Sequence, residues 1–497
     1  MCFVGFQCLT FKGLSILKYI MKRYSIVIFS MLCVAAAFAQ GTVSLDSCRN
    51  MALRNNKEIQ IANQKIISAG YNKQTAKAAY LPSVDATGSY FYNQKKVSLI
   101  DDDVMIPTKS FDATTGSYNY NLVTNPVDGK PIQINGQYVP STVAVIPKSA
   151  LTYDMHNVFA GALTVKQPIY MGGKIKAMNE ITKYAEQLAK SMRNSKAQDI
   201  IYNVDAAYWQ VVSLNAKHKL AVSYVHLLDS LDNNVKAMLK QGIATKSDLL
   251  SVDVKLNEAN VDLTKVENGL VLSRMLLAQL CGLPVSTELH PVDENRNFDS
   301  GRITPSSFNM NDVYNKRQDI HSLEIANQIY EQKAKVTLSE MLPTVAAIGM
   351  YSFSNPNNYN GFKKEFGGAF SIGAMVSIPI WHWKGDYNKY RAAKCQTVIG
   401  QLELADAKEK IELQVNQASF KSQEAEKTYI TTKKNVEKAN ENLRQAQLGF
   451  KEGMVTTTNV MEAQTAWLKA NSENIDAKID VQLCDVYLNK VLGNMNY

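Results

Sequence analysis

Leu81-Pro82-Ser83-Val84-Asp85-Ala86-Thr87-Gly88-Ser89-Tyr90-Phe91-Tyr92 recurs in altered form as Leu342-Pro343-Thr344-Val345-Ala346-Ala347-Ile348-Gly349-Met350-Tyr351-Ser352-Phe353. The two stretches lie 261 residues apart, and at the same offset Asn56-Lys57-Glu58-Ile59 meets Arg317-Gln318-Asp319-Ile320. Further along the offset is 211: Gln167-Pro168-Ile169-Tyr170 meets Ile378-Pro379-Ile380-Trp381, and Gly242-x-x-Thr245 meets Gly453-x-x-Thr456. Leu280-Cys281-Gly282 then meets Val491-Leu492-Gly493 with no further gap. One unit is therefore present twice, and the first copy carries 50 extra residues in a single place.

Each copy reads alike. A helical stretch (47–80; 311–341) stops at Leu-Pro, because proline biases its predecessor toward extended structure. Two strands follow, 83–92 and 157–167 in the first copy, 344–353 and 368–377 in the second. In 83–92, Val84, Ala86, Gly88, Tyr90 and Tyr92 alternate with Ser83, Asp85, Thr87 and Ser89; in 368–377, Phe370, Ile372, Ala374 and Val376 alternate with Ser371, Gly373 and Ser377. About ten residues at period two is the length and pattern of a transmembrane β-strand. Pro168 and Pro379 are expected to end the second strands, as Pro82 and Pro343 precede the first.

Helical pattern then covers 172–241 and 384–452, turns at a glycine, and returns through 248–281 and 459–492. Leu249, Leu256, Leu263, Leu270 and Leu277 recur every seven residues, matched on the outgoing helix by Ala207, Leu214, Ala221, Leu228 and Val235. Sustained heptads mean coiled-coil packing. A helix of about 70 residues extends roughly 105 Å, and the returning helix is half that long. The helix before the strands supplies the missing half if it stacks end to end with the returning one.

Composition sets the class. At 20% charged and 46% hydrophobic, the chain is neither a polytopic helical membrane protein nor disordered. Residues 1–39 read as a signal peptide with an upstream extension: Met21-Lys22-Arg23, an apolar run from Ile26 to Val34, and Ala37-Phe38-Ala39 before Gln40. Ser30-Met31-Leu32 before Cys33 is a poor lipobox, so ordinary cleavage is expected. Losing Lys12, Lys18, Lys22 and Arg23 lowers the net charge from +9 to +5, diffuse enough to imply no nucleic-acid partner. Cys48, Cys281, Cys395 and Cys484 remain, read as buried helical thiols. The histidines share no ligand spacing, no catalytic motif occurs, and Asp101-Asp102-Asp103 reads as a solvated loop. Neither cofactor nor metal is implied, nor an enzyme.

The fold expected is mainly α with membrane β. The first repeat is 40–282, an equatorial linker 283–310, and the second repeat 311–497. Four strands cannot close a barrel, and an open edge is not tolerated in lipid. Twelve strands from three chains leave a lumen, where eight are filled by side chains. A homotrimer whose strand barrel continues into a helical barrel is therefore the smallest sufficient assembly.

With the duplicated Leu-Pro, Pro168-Ile169-Tyr170-Met171-Gly172-Gly173-Lys174 and its partner at 379–385, and the Gly242 and Gly453 turns, residues 42–493 resemble the TolC family of outer-membrane channels. The resemblance implies a trimeric 12-stranded barrel in outer-membrane lipid and a coiled-coil helical barrel in the periplasm. It also implies a periplasmic adaptor (membrane fusion) protein and an inner-membrane pump of RND or ABC type as partners. Drug efflux and type I protein secretion both remain open, and a periplasmic coiled-coil scaffold without a pore is the competing class.

By the resemblance, the adaptor docks at the tips, Gly242, Ile243, Ala244 and Thr245 with Gly453, Met454, Val455 and Thr456. The constriction falls on Glu462, Asn459 and Asp248; Asn459 stands where an acid is usual, and Val455 where an ion pair to Asp248 would need a charge. Segment 93–153 is polar and proline-rich, so it is expected on the external face, with 354–366 beside it.

Overall fold

The computed structural model describes residues 42–295 and 308–495; the leader, and part of the 283–310 linker, lie outside the described residues. The described residues form two compact units, one from 42–73, 180–295, 308–334 and 392–495, the other from 74–179 and 335–391.

The second unit holds one four-stranded antiparallel sheet. Its strands are β1 (Ser83–Tyr92), β2 (Asn157–Met171), β3 (Thr344–Asn355) and β4 (Gly367–Ser377), in the order β4-β3-β2-β1. Leu163 stands opposite Ala86 and Tyr351, and Thr164 opposite Asp85 and Met350. Since side chains alternate and paired residues share a face, this register sorts the sheet. Val84, Tyr90, Leu163, Val165, Tyr351, Phe370 and Ile372 share one face; Asp85, Thr87, Ser89, Thr164, Ser352 and Ser371 share the other. Among the described residues, each of β1 and β4 keeps one edge without a partner strand.

Proline is not what ends β2. The strand expected to stop before Pro168 runs on to Met171, because a register shift between Pro168 and Tyr170 absorbs the missing N–H. The actual stop is Gly172-Gly173, both left-handed at φ +60° and +83°. In the second copy β4 does end just before Ile378-Pro379, and the aligned Trp383 and Lys384 adopt φ 49° and 61° without being glycine. Leu81-Pro82 and Leu342-Pro343 lie between a helix and the next strand, as read.

The extra residues between β1 and β2 form an arm of short hairpins. Val104–Pro107 pairs with Val143–Ile146, Lys109–Asp112 with Ser117–Tyr120, and Gln133–Ile134 with Gln137–Tyr138.

The other unit is helical. The pre-strand helix of the first copy is not continuous: α1 (Leu45–Asn55) and α2 (Lys57–Ala78) are broken at Asn56, which takes extended angles, φ −64° and ψ 131°. The outgoing α3 (Lys174–Lys240) and the returning α4 (Lys246–Leu280) follow. The second copy has α5 (Met310–Lys316) and α6 (Gln318–Ser339), broken at Arg317, then α7 (Gly385–Lys451) and α8 (Thr457–Val491). α3 and α7 are each 67 residues, α4 and α8 each 35.

The breaks explain the end-to-end stacking. Asn56 Nδ2 donates to the carbonyl of Leu280 at 3.1 Å, and Arg317 Nη1 to that of Val491 at 3.0 Å. Each break thus satisfies a carbonyl that the end of the returning helix leaves open. The cores repeat as well. Ala52, Ile59, Ile200, Val204, Ala207 and Leu277 pack together in one copy; the aligned Val313, Ile320, Ile411, Val415, Ala418 and Leu488 do so in the other. Burial of each Ile or Leu stabilises by about 1.5–3 kcal/mol. Of the heptad positions, Ala207, Leu228, Val235, Leu270 and Leu277 are buried. The reading of four buried thiols is corrected: Cys48, Cys281 and Cys484 are buried, but Cys395, within α7, is exposed, with no described element packed over it as over the other three.

Candidate functional site

The residues singled out at the tips lie in two helix–helix turns. Gly242 (φ +76°) and Gly453 (φ +74°) supply the left-handed step, and no atom lies within 4 Å of where a β-carbon would stand. Their N–H groups donate to Leu239 and Phe450 carbonyls, closing the outgoing helices. Thr245 then caps α4, its hydroxyl accepting from Asp248 N–H at 3.1 Å. Asp248 answers, its Oδ2 accepting from Thr245 N–H at 2.9 Å and from the Thr245 hydroxyl at 2.6 Å. That hydroxyl and amide hold the Asp248 carboxyl below its ordinary pKa. The second tip has only half of this arrangement: Thr456 accepts from Asn459 N–H at 3.3 Å.

Val455, standing where the resemblance calls for a charge, lies against an apolar cluster instead. Leu231, Val235, Val252, Phe450 and Val460 form its buried part, with Ala244, Leu249 and Val455 packed on them. The two tips of one chain are therefore joined by hydrophobic contact, which burial rather than charge maintains. Ile243 and Met454 stay outside it, 66% and 77% exposed. Asn459 and Glu462 are exposed on the first turns of α8, while the neighbouring Gln464 is buried and donates to the Leu227 carbonyl at 3.2 Å.

The sheet offers a second surface. Its polar face is lined by small side chains, Thr87, Ser89, Ala160, Ala162, Ser352 and Ser354. Its apolar face has a groove of about 300 Å³ between Leu163, Val165, Tyr351, Phe370 and Ile372. No described helix is long and apolar enough to cross a membrane, and the described residues contain no cluster able to hold a metal ion. Near these sites, the left-handed Trp383-Lys384 and the apolar tip cluster escaped sequence reading. The first carries no glycine to signal a left-handed step, and the second draws on four separate helices.

A four-stranded antiparallel sheet with two 67-residue helices, each followed by a 35-residue one, is the fold of outer-membrane channel protomers. The chain belongs to the outer membrane efflux protein family, the TolC-type channels, whose family description matches residues 144–283 and 310–494. It is 20% identical over 344 residues to outer membrane protein TolC of Vibrio cholerae serotype O1, covering 68% of this chain and 78% of that protein. In fold it is similar to the outer-membrane channel OprN, with TM-score 0.69, 14% identity, and 91% and 90% of the two chains covered. CusC gives TM-score 0.69 and 14% identity over 92% of this chain and 93% of that one. Such channels are passive conduits, and the chain is not an enzyme.

Proposed function

We propose that three copies of this chain form the outer-membrane channel of a tripartite efflux or export system. Substrate enters from an inner-membrane pump and a periplasmic adaptor and leaves at the cell surface. One observation carries the reading: the sheet has one apolar face, one small and polar face, and two unpaired edges. Lipid requires every edge to be paired, and twelve strands are the smallest closed set with a lumen that four-stranded protomers supply. The apolar face then meets lipid and the polar face lines the pore.

In this arrangement the helical barrel stands in the periplasm and the 93–153 arm is external. The tips, Gly242 to Thr245 and Gly453 to Thr456, meet the adaptor, with exposed Ile243 and Met454 supplying apolar contact. Glu462 and Asn459, beside the second tip, form the constriction with Asp248. A ring of three Glu462 carboxylates would bind cations, as acidic rings do in other pores.

Purified protein in planar bilayers tests this. Trimers should conduct, and Glu462→Ala should reduce block by multivalent cations. Monomeric protein released by osmotic shock, without need of detergent, would favour a periplasmic scaffold instead. An epitope placed near Asn125 should be labelled on intact cells; labelling only after permeabilisation would reverse the topology.

A further inference from the structure

The turn joining β3 to β4 does not extend the hairpin outward. It folds back across the polar face. Tyr359 reaches Ser352, with 2.7 Å between the two hydroxyl oxygens, although Ser352 lies within the strand. Asn358 and Tyr359 close one side of a concavity of about 310 Å³, whose floor includes Thr87, Ser89, Ala162 and Ser352. These floor residues belong to the face that the channel reading turns toward the pore.

The fold-back is held from below and from the side. Asn357 is buried; its N–H donates to the Lys363 carbonyl at 2.8 Å, and its Oδ1 accepts from Tyr359 N–H at 3.0 Å. Gly367 is required beneath it, since a β-carbon there would stand 2.0 Å from the Asn357 side chain. From the arm, Asp154 pairs with Lys364 at 3.2 Å, and the Tyr153 and Phe362 rings lie 5.2 Å apart. Tyr359 nevertheless remains 59% exposed, so its ring stands over the polar face without being packed into it.

We infer that the 356–366 turn forms a second constriction, at the external end of the pore, in which Asn358 and Tyr359 of each protomer face the passing solute. This rests on the trimeric channel reading. Both side chains are uncharged, so the ring selects by size and hydrogen bonding, in contrast to the acidic ring at the tips. The arm acts on it through Asp154 and Lys364, which fix how far the turn leans over the face.

The test is current through single trimers carrying Tyr359→Cys in a Cys395→Ser background, with a bulky methanethiosulfonate reagent in both chambers. Current should fall in up to three steps, one per protomer, while the background protein stays unaffected. Asn358→Cys should respond likewise and serves if the Tyr359 variant does not assemble. Val127→Cys, on the arm and 92% exposed, should take the reagent without loss of current. If both turn variants are labelled, as mass spectrometry reads, and neither loses current, the inference is overturned. Failure of both to label would overturn it equally, because pore-facing side chains are reachable by solute. Inserted trimers that carry no current in any variant would instead sink the channel reading itself.

Discussion

A β-carbon on Gly282 would stand 2.6 Å from the carbonyl carbon of Asn55, so the end of the first returning helix is pressed against the backbone of α1. The second copy repeats the contact, with a β-carbon on Gly493 standing 2.9 Å from Lys316 Cβ. Gly282 is also left-handed, at φ +73°. Gly282→Ala therefore meets both a backbone clash and a conformational penalty, and should cost roughly 2–4 kcal/mol. Gly242→Ala meets only the second and should cost about 1 kcal/mol. Denaturant unfolding followed by circular dichroism compares them; equal losses would mean that the Asn55 contact contributes nothing.

Arg49 grips Asp205 with two bonds, Nε to Oδ1 at 2.7 Å and Nη2 to Oδ2 at 2.5 Å. The Asp205 side chain is fully buried, and burial pushes its carboxyl above the ordinary value even beside arginine. Arg49→Ala leaves an unpaired buried acid and should destabilise by about 3 kcal/mol. Adding Asp205→Asn should recover part of that loss, since it removes the charge whose burial is costly. A double variant no more stable than Arg49→Ala would contradict this account.

Glu186 carries the acid-side pH dependence of its neighbourhood. Lys190 and Lys73 each place Nζ 2.7 Å from one of its oxygens and lower its carboxyl from 4.5 to about 2. A carboxylate lowered on folding contributes stability that is present above its unfolded pKa and lost as pH falls through the folded one. The contribution should fade between about pH 4.5 and 2 and, for partly exposed pairs, be under about 1 kcal/mol. Glu186→Gln should flatten Tm against pH in that window. An unchanged slope would assign the acid sensitivity elsewhere.

The tips should differ in their opening. Thr245 and Asp248 cap each other, whereas Thr456 caps Asn459 without a return bond to its own N–H. A side-chain cap is worth about 1 kcal/mol. Amide hydrogen exchange should be several-fold faster over 456–460 than over 245–249, and Asn459→Asp should narrow the gap. Equal protection in the parent protein would show that the apolar cluster beneath both tips, rather than the cap, controls opening.

Much of this protein was readable from residue order alone. Repetition at two offsets located both copies, all four strands and the insertion, because equivalent positions solve the same packing problem twice. Helix lengths and the glycine tips were equally local, set by heptad spacing and by a left-handed step that glycine makes cheaply. Three features required the tertiary structure. The breaks at Asn56 and Arg317 carry no glycine or proline; they exist because carbonyls of Leu280 and Val491, far along the chain, need donors. Trp383 and Lys384 hold left-handed angles that neither favours, because the connection after β4 must turn as it does after β2. Tyr359 lies over the polar face because the Asn357 side chain is seated against Gly367 and Lys364 is held by the arm. Local order determines periodicity and turns; contacts between distant segments decide which polar groups need partners, and so where the chain must bend to supply them.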